Sequence, residues 1–216
     1  LVVLAAAGIL TFLCFVVSPE EPFKNLLYAL LILAVVVIHP LIARGGSLHD
    51  NSRLGLFLFL ILLQLGIGAI LLRQADEGYL GESYLPLLVP YALAPLTLSV
   101  LLGAPTGFWA ALAGALWWMI LRGESGPAPL LLALIGGMVA VLSTLRVRRR
   151  SRLLRAGFYS GISVCILALC SGVIGPVHWE SLQGNDWWKI GMECATALGA
   201  GILTAVLVSG SLPMLE

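Results

Sequence analysis

The sequence predicts an all-α integral membrane protein, a bundle of eight transmembrane helices with no sheet. Three observations predict it. Hydrophobic residues fill 60% of the 216 positions and charged residues only 11%, where a soluble domain carries about a quarter. Mean hydropathy is +1.02. The apolar residues also fall into eight runs near the length of about 20 residues that crosses the hydrocarbon core as a helix. So few charges cannot cover a water-facing surface, which excludes a soluble domain of this size.

The runs follow in order. Residues 1–17 form the first; the chain opens without Met, so this run reads as cut short. "SPEEPFKN", residues 18–25, breaks it, and 26–43 is the second run. Residues 44–53 are polar, and 54–72 form the third span. Residues 73–84 are polar and acidic; 85–102 are the fourth span, with Pro86, Pro90 and Pro95 inside it or at its start. A tight turn at 103–106 leads into a short fifth span, 107–121. "RGESGPAP" separates it from the sixth, 130–145. After an arginine-rich segment comes the seventh, 156–175. A longer loop, 176–188, precedes the eighth, from 189 to about 211, and Pro213 is expected to end it.

"RVRRRSRLLR", residues 146–155, holds six of the twelve Lys and Arg. Basic residues near span ends collect on the cytoplasmic side of a membrane. With the loops numbered alternately, 44–53, 103–106 and 146–155 share one side with both chain ends. Eight of the twelve basic residues lie there. The other side carries Glu20, Glu21, Asp76, Glu77, Glu82, Glu124, Glu180 and Asp186. Arg146, Arg148, Arg149, Arg150, Arg152 and Arg155 therefore read as the residues that set topology, with both termini cytoplasmic. No aromatic interleaves with them for base stacking, which argues against nucleic acid. The cluster is internal, which argues against a targeting signal. Contact with anionic lipid headgroups is compatible with it, at about 1 kcal/mol per basic residue near the surface.

Two polar residues interrupt apolar runs. Intramembrane ionisable groups are functional candidates, and Glu193 is one, about a turn inside the outer end of the last span near Trp187, Trp188 and Lys189, where reaching the interface is the plainer reading. Gln64 lies mid-span, and a hydrogen bond between helices is its plainer reading. Cys14, Cys165, Cys170 and Cys194 all fall within spans without a CxxC and read as buried small hydrophobes. His49–Asp50 reads as a solvated turn. Small residues repeat at four-residue spacing in Gly157–Gly161, Ala195–Gly199 and Ala197–Gly201, a pattern that lets helices approach closely. Trp179, Trp187 and Trp188 read as an interfacial belt. No Walker loop, GxSxG, HExxH or dinucleotide-binding glycine pattern appears, so no catalytic or metal residue and no cofactor is expected in this chain.

From about residue 26 onward the chain resembles the membrane region of the seven-transmembrane HD phosphohydrolase family. The resemblance is carried by "YLPLLVPYALAPLTLSVLLGAPTGFWAALAGALWW" (84–118), "RVRRRSRLLRAGFYSG" (146–161) and "GILTAVLVSGSLPMLE" (201–216). It implies one span, an extracellular domain, seven spans and a cytoplasmic HD domain that binds two divalent metals and hydrolyses cyclic di-AMP. One plus seven agrees with eight spans. It implies a division into 1–17, a short outer loop at 18–25 where the family has its extracellular domain, and a seven-helix domain over 26–216. It places the chain in a bacterial cytoplasmic membrane. The outer domain and the HD domain are missing from this sequence, so the parent protein's own domains become the expected partners, together with the lipid bilayer. Association with further copies of the chain stays open.

Two functions follow. The first is a sensor and transducer that passes an outer or intramembrane signal through the eighth span to a cytoplasmic hydrolase. The alternative is a small-molecule transporter or a substrate-binding membrane subunit, for which Gln64, Thr97, Ser99 and Glu193 are the scattered candidates. A scaffold of cell-wall or membrane assembly is a lesser third.

Overall fold

Residues 2–17, 22–42, 51–79, 81, 83–122, 127–145, 151–174 and 184–215 are described in the computed structural model. Among them the chain forms nine α-helices and no strand. These are α1 (Val2–Val17), α2 (Pro22–Ile42), α3 (Asn51–Asp76), α4 (Leu85–Leu88), α5 (Leu93–Leu101), α6 (Ala104–Arg122), α7 (Ala128–Thr144), α8 (Ser151–Cys170) and α9 (Gly184–Leu215). The fourth expected span is split into α4 and α5; every other span is a single helix.

Prolines and glycines move several boundaries away from the sequence expectation. α2 starts at Pro22 rather than 26, because proline at a first helical position gives up an N–H that would have no partner anyway. That shortens the expected 18–25 connection to 18–21. α6 starts at Ala104, because Gly103 alone turns the chain with φ +99°. α8 begins at Ser151 and stops at Cys170. Gly172 follows with φ +73°, and Val173 N–H closes the end by donating to Ala168 O at 3.0 Å. α9 overruns its expected span at both ends and passes through Pro213. With only two helical residues beyond it, that proline deprives a single carbonyl of its donor. The 32 residues of α9 make a rod of about 48 Å.

The split in the fourth span has the same cause. Pro90 has no N–H to give to the carbonyl four residues back. Val89 takes an extended ψ of 126°, and Tyr91 N–H turns to Val89 O at 2.8 Å. The helix restarts at Leu93.

Among the described residues, four helical segments are long and apolar enough to cross a membrane: Asn51–Asp76, Ala104–Arg122, Leu153–Cys170 and Trp187–Ser211. The four shorter apolar ones are Val3–Cys14, Phe23–Ile38, Leu85–Leu101 and Ala128–Thr144. α5 lies at the centre, against α3, α6, α7 and α9, and Leu93 to Leu98 are all buried. α6, α7, α8 and α9 pack in sequence beside it. α1 lies against α2 and α3. It buries Ala6, Leu10, Leu13 and Cys14 and leaves Leu4 77% exposed on the other face. Large outward apolar side chains such as Phe12, Phe59 and Leu203 suit hydrocarbon as solvent, since lipid carries no penalty for them.

Candidate functional site

The broken fourth span puts a helix amino terminus inside the bundle, where unpaired N–H groups cost several kcal/mol in the absence of water. The chain accounts for each one in the first turn of α5. Leu93 N–H donates to Pro90 O at 3.0 Å, and Leu96 N–H to Ala92 O at 2.9 Å. Pro95 has none. Ala94 N–H donates to the side-chain Oε1 of Gln64, on α3, at 2.9 Å. Gln64 is only 5% exposed. It therefore holds α3 to the restart of the broken helix. Next to it the Trp118 ring lies against Gly68 and meets Tyr91 edge-on, with centroids 6.1 Å apart. Trp117 Nε1 donates to Ala29 O at 3.1 Å and ties α6 to α2.

A cleft of about 240 Å³, its open mouth included, lies between the break, α8 and α9. Leu87, Pro90, Tyr91, Ser160, Ala197 and Thr204 are among its walls. The serine and threonine hydroxyls are committed: Ser160 Oγ donates to Gly136 O at 2.9 Å and Thr204 Oγ1 to Ala200 O at 2.7 Å. The polar residues expected of a transport site do not meet here. Gln64 serves Ala94. Thr97 Oγ1 donates to Leu93 O at 2.7 Å. Ser99 donates to Leu96 O at 2.8 Å and shares a 2.9 Å bond with Thr144. None of these three lines the cleft, and neither does Glu193.

Glu193 is enclosed by the protein. It is 1% exposed, on the buried stripe of α9 that also holds Ile190, Ala197, Thr204, Ala205 and Val208. Its Oε1 is 3.9 Å from Nζ of Lys189, whose side chain is 62% exposed. Its Oε2 has no hydrogen-bond partner.

The same stripe packs closely against α8. A Cβ on Gly201 would meet Gly157 O at 2.5 Å, and one on Gly161 would meet Ala197 O at 3.0 Å. Two of the three small-residue pairs in the sequence thus face each other across α8 and α9. The third does not: Ala195 and Gly199 are exposed, and nothing lies within 4 Å of a Cβ on Gly199. The cysteines also depart from the expectation of uniform burial. Cys14 is buried, Cys170 is exposed, and Cys165 and Cys194 are half-buried.

Of the topology-setting arginines, Arg146, Arg148, Arg149 and Arg150 lie outside the described residues. Arg152 and Arg155 are in the first turns of α8, and Arg155 is exposed. Trp187 and Trp188 are exposed, as a belt requires; Trp179, His49, Asp50 and His178 lie outside the described residues. The two divalent metals that the family resemblance implies for an HD domain find no donors here. Among the described residues no group of three His, Cys, Asp or Glu comes together.

No curated protein and no solved structure matches the chain. One family model, described as "7TM receptor with intracellular HD hydrolase", matches residues 1–216. That match covers all nine helices, and the all-helical bundle with its outward apolar faces agrees with it. The chain belongs to the family of seven-transmembrane receptors with an intracellular HD hydrolase, and it is a membrane region of that family.

Proposed function

We propose that the chain is the sensor and transducer region of a bacterial cyclic-di-AMP phosphodiesterase, held in the cytoplasmic membrane with both termini inside. Residues 1–17 anchor the parent's outer domain, residues 26–216 form the seven-helix core, and the HD domain beyond them binds the two divalent metals. A signal outside or within the membrane biases the packing of the bundle, and α9 carries the change inward. The family match is the observation that carries this reading. The shape of α9 supports it: one unbroken rod of 32 residues whose glycine face touches the backbone of α8. A contact between two backbones has no flexible side chain to absorb displacement, so a shift at the seam moves the whole rod. The arginines at the start of α8 lie against anionic headgroups on the same side as the hydrolase.

Coupling requires two arrangements that a signal distinguishes. In the parent protein with its HD domain, Gly201→Leu must push α9 away from Gly157, whereas Gly199→Leu adds a side chain in open space. Coupling energies between sites are about 1–3 kcal/mol, roughly 5- to 150-fold. Gly201→Leu is expected to change cyclic-di-AMP turnover in membranes within that range, at matched protein level and intact insertion, and Gly199→Leu to leave it near wild type. Equal turnover in both variants and the wild type would reduce α9 to an anchor and remove the transducer reading.

A further inference from the structure

Pro90 costs the fourth span more than one hydrogen bond. Tyr91 N–H turns back to Val89 O at 2.8 Å, a γ-turn about the proline. Leu87 and Leu88 N–H both go to Tyr84 O at 3.1 Å. Among the described residues, Val89 N–H, Ala92 N–H and the carbonyls of Pro86, Leu87 and Leu88 are left with no main-chain partner. Pro86, Leu87, Val89 and Ala92 are buried. Backbone freed at a helix break in a membrane has to be satisfied by neighbouring protein or by ordered water. Leu87, Val89 and Ala92 line the cleft that faces α8 and α9. The walls from those two helices supply further oxygens. Ser160 and Thr204 are 3% and 1% exposed. Their hydroxyl protons go to Gly136 O and Ala200 O, so lone pairs are what each has left to offer.

We propose that this cleft is a water-binding site, in which bound water bridges the backbone of the broken fourth span to α8 and α9. The mixture of groups selects the ligand. The N–H groups of Val89 and Ala92 oppose a cation, and no acidic side chain is among the walls. The carbonyls and the hydroxyl lone pairs oppose an anion. An apolar occupant such as a lipid chain leaves every one of these groups bare. Water donates two hydrogen bonds and accepts two. It takes about 30 Å³ and, when buried, makes about three hydrogen bonds, and the cleft, mouth included, is about 240 Å³. The site also touches the helix seam, because Gly161 and Gly201 are walls of the same cleft. Bound water thus joins the fourth span to the contact between α8 and α9. Its binding needs no hydrolase and no signal, so it stands apart from the transducer reading.

The experiment uses the full, unaltered chain in lipid nanodiscs. A brief X-ray pulse splits water into hydroxyl radicals where it stands, and the oxidised side chains are mapped by mass spectrometry. The buffer is switched to heavy-oxygen water just before the pulse, so the oxygen in each product tells bulk water from bound. Tyr91 is the aromatic reporter among the cleft walls. Tyr79, 82% exposed, reports bulk water, and Trp117, 1% exposed, reports dry packing. The expected result is Tyr91 oxidised and carrying light oxygen when Tyr79 already carries heavy oxygen, with Trp117 unmodified. Tyr91 as unreactive as Trp117 at a dose that saturates Tyr79 would show a dry cleft and overturn the proposal. Tyr91 carrying heavy oxygen in the same proportion as Tyr79 would make the cleft an open solvent channel, and would overturn bound water as its ligand.

Discussion

A glutamine amide inside a membrane bundle costs free energy unless it is hydrogen-bonded, and Gln64 spends its oxygen on a backbone N–H that the broken helix would otherwise strand. Gln64→Leu keeps the volume and removes the acceptor. Interhelical hydrogen bonds in membranes reach about 1–2 kcal/mol, and an N–H left bare costs a similar amount. The variant is expected to lose about 1–2 kcal/mol of stability, read by thermal or dodecyl sulfate unfolding in bicelles. A loss near zero would mean that Ala94 N–H finds another acceptor. Gln64 and Glu193 were both visible in the sequence, since each interrupts an apolar run. Their surroundings were not. The partner of Gln64 is a main-chain group thirty residues away, freed by a proline break that carries no side-chain signal. Glu193 was expected about a turn inside the end of a helix beginning at 189. With α9 starting at Gly184, Glu193 lies nine residues in, about 13 Å along the rod, and on its buried face.

Helices α8 and α9 show how much of an element's role its own sequence encodes. The four-residue repeats of small residues were legible, and so was their use in close packing. Which repeat faced which helix was not, because Ala195–Gly199 and Ala197–Gly201 differ by only two positions, or roughly half a turn. Only the contact between α8 and α9 selects one of them. Once selected, the antiparallel register of α8 against α9 follows. The broken fourth span is a similar case. Its three prolines were plain, yet only the three-dimensional backbone shows that Pro90 makes the break while Pro95 sits harmlessly in the first turn of α5. Two substitutions of opposite sign test the seam. Gly157→Ala would place a methyl group against Gly201 O and Ala205, and overpacking of this kind costs about 1–3 kcal/mol. Gly199→Ala meets nothing and restricts the unfolded chain, a gain of about 0.4–1 kcal/mol. Thermal midpoints in matched detergent should fall for the first and rise or hold for the second. A fall of equal size in both would show that the two glycines are not distinguished by packing.

At the scale of the whole molecule, nearly all the fold was legible, because a chain this apolar has few choices: backbone groups in lipid must pair within helices or closed barrels, and runs of this length select helices. With no cluster of metal ligands among the described residues, the purified 216-residue chain is expected to leave cyclic di-AMP intact in the presence of manganese. Turnover lost on mutating His49 and Asp50 would reinstate that pair as a metal site. Orientation is the remaining global property, and charge decides it. Eight of the twelve basic residues fall on the side of the chain ends when the loops are alternated. Six of these stand in the arginine segment that leads into α8. Moving basic residues across a membrane during insertion is opposed strongly enough that short loops rich in them stay inside. Replacing Arg146, Arg148, Arg149, Arg150, Arg152 and Arg155 together by Gln leaves only Arg44 and Arg53 on that side against four basic residues on the other. The bias then reverses sign, and the inserted fraction with the native orientation should fall. The measurement is labelling of a single engineered cysteine by a membrane-impermeant maleimide in intact cells, with the four native cysteines replaced by serine. A probe at Ser83, on the acidic side, should label in the wild-type arrangement, and a probe at Ser151 should not. In the six-glutamine variant Ser151 should gain label and Ser83 should lose it. Labelling of Ser151 with all six arginines in place would invert the topology, and α9 could no longer lead to an intracellular hydrolase.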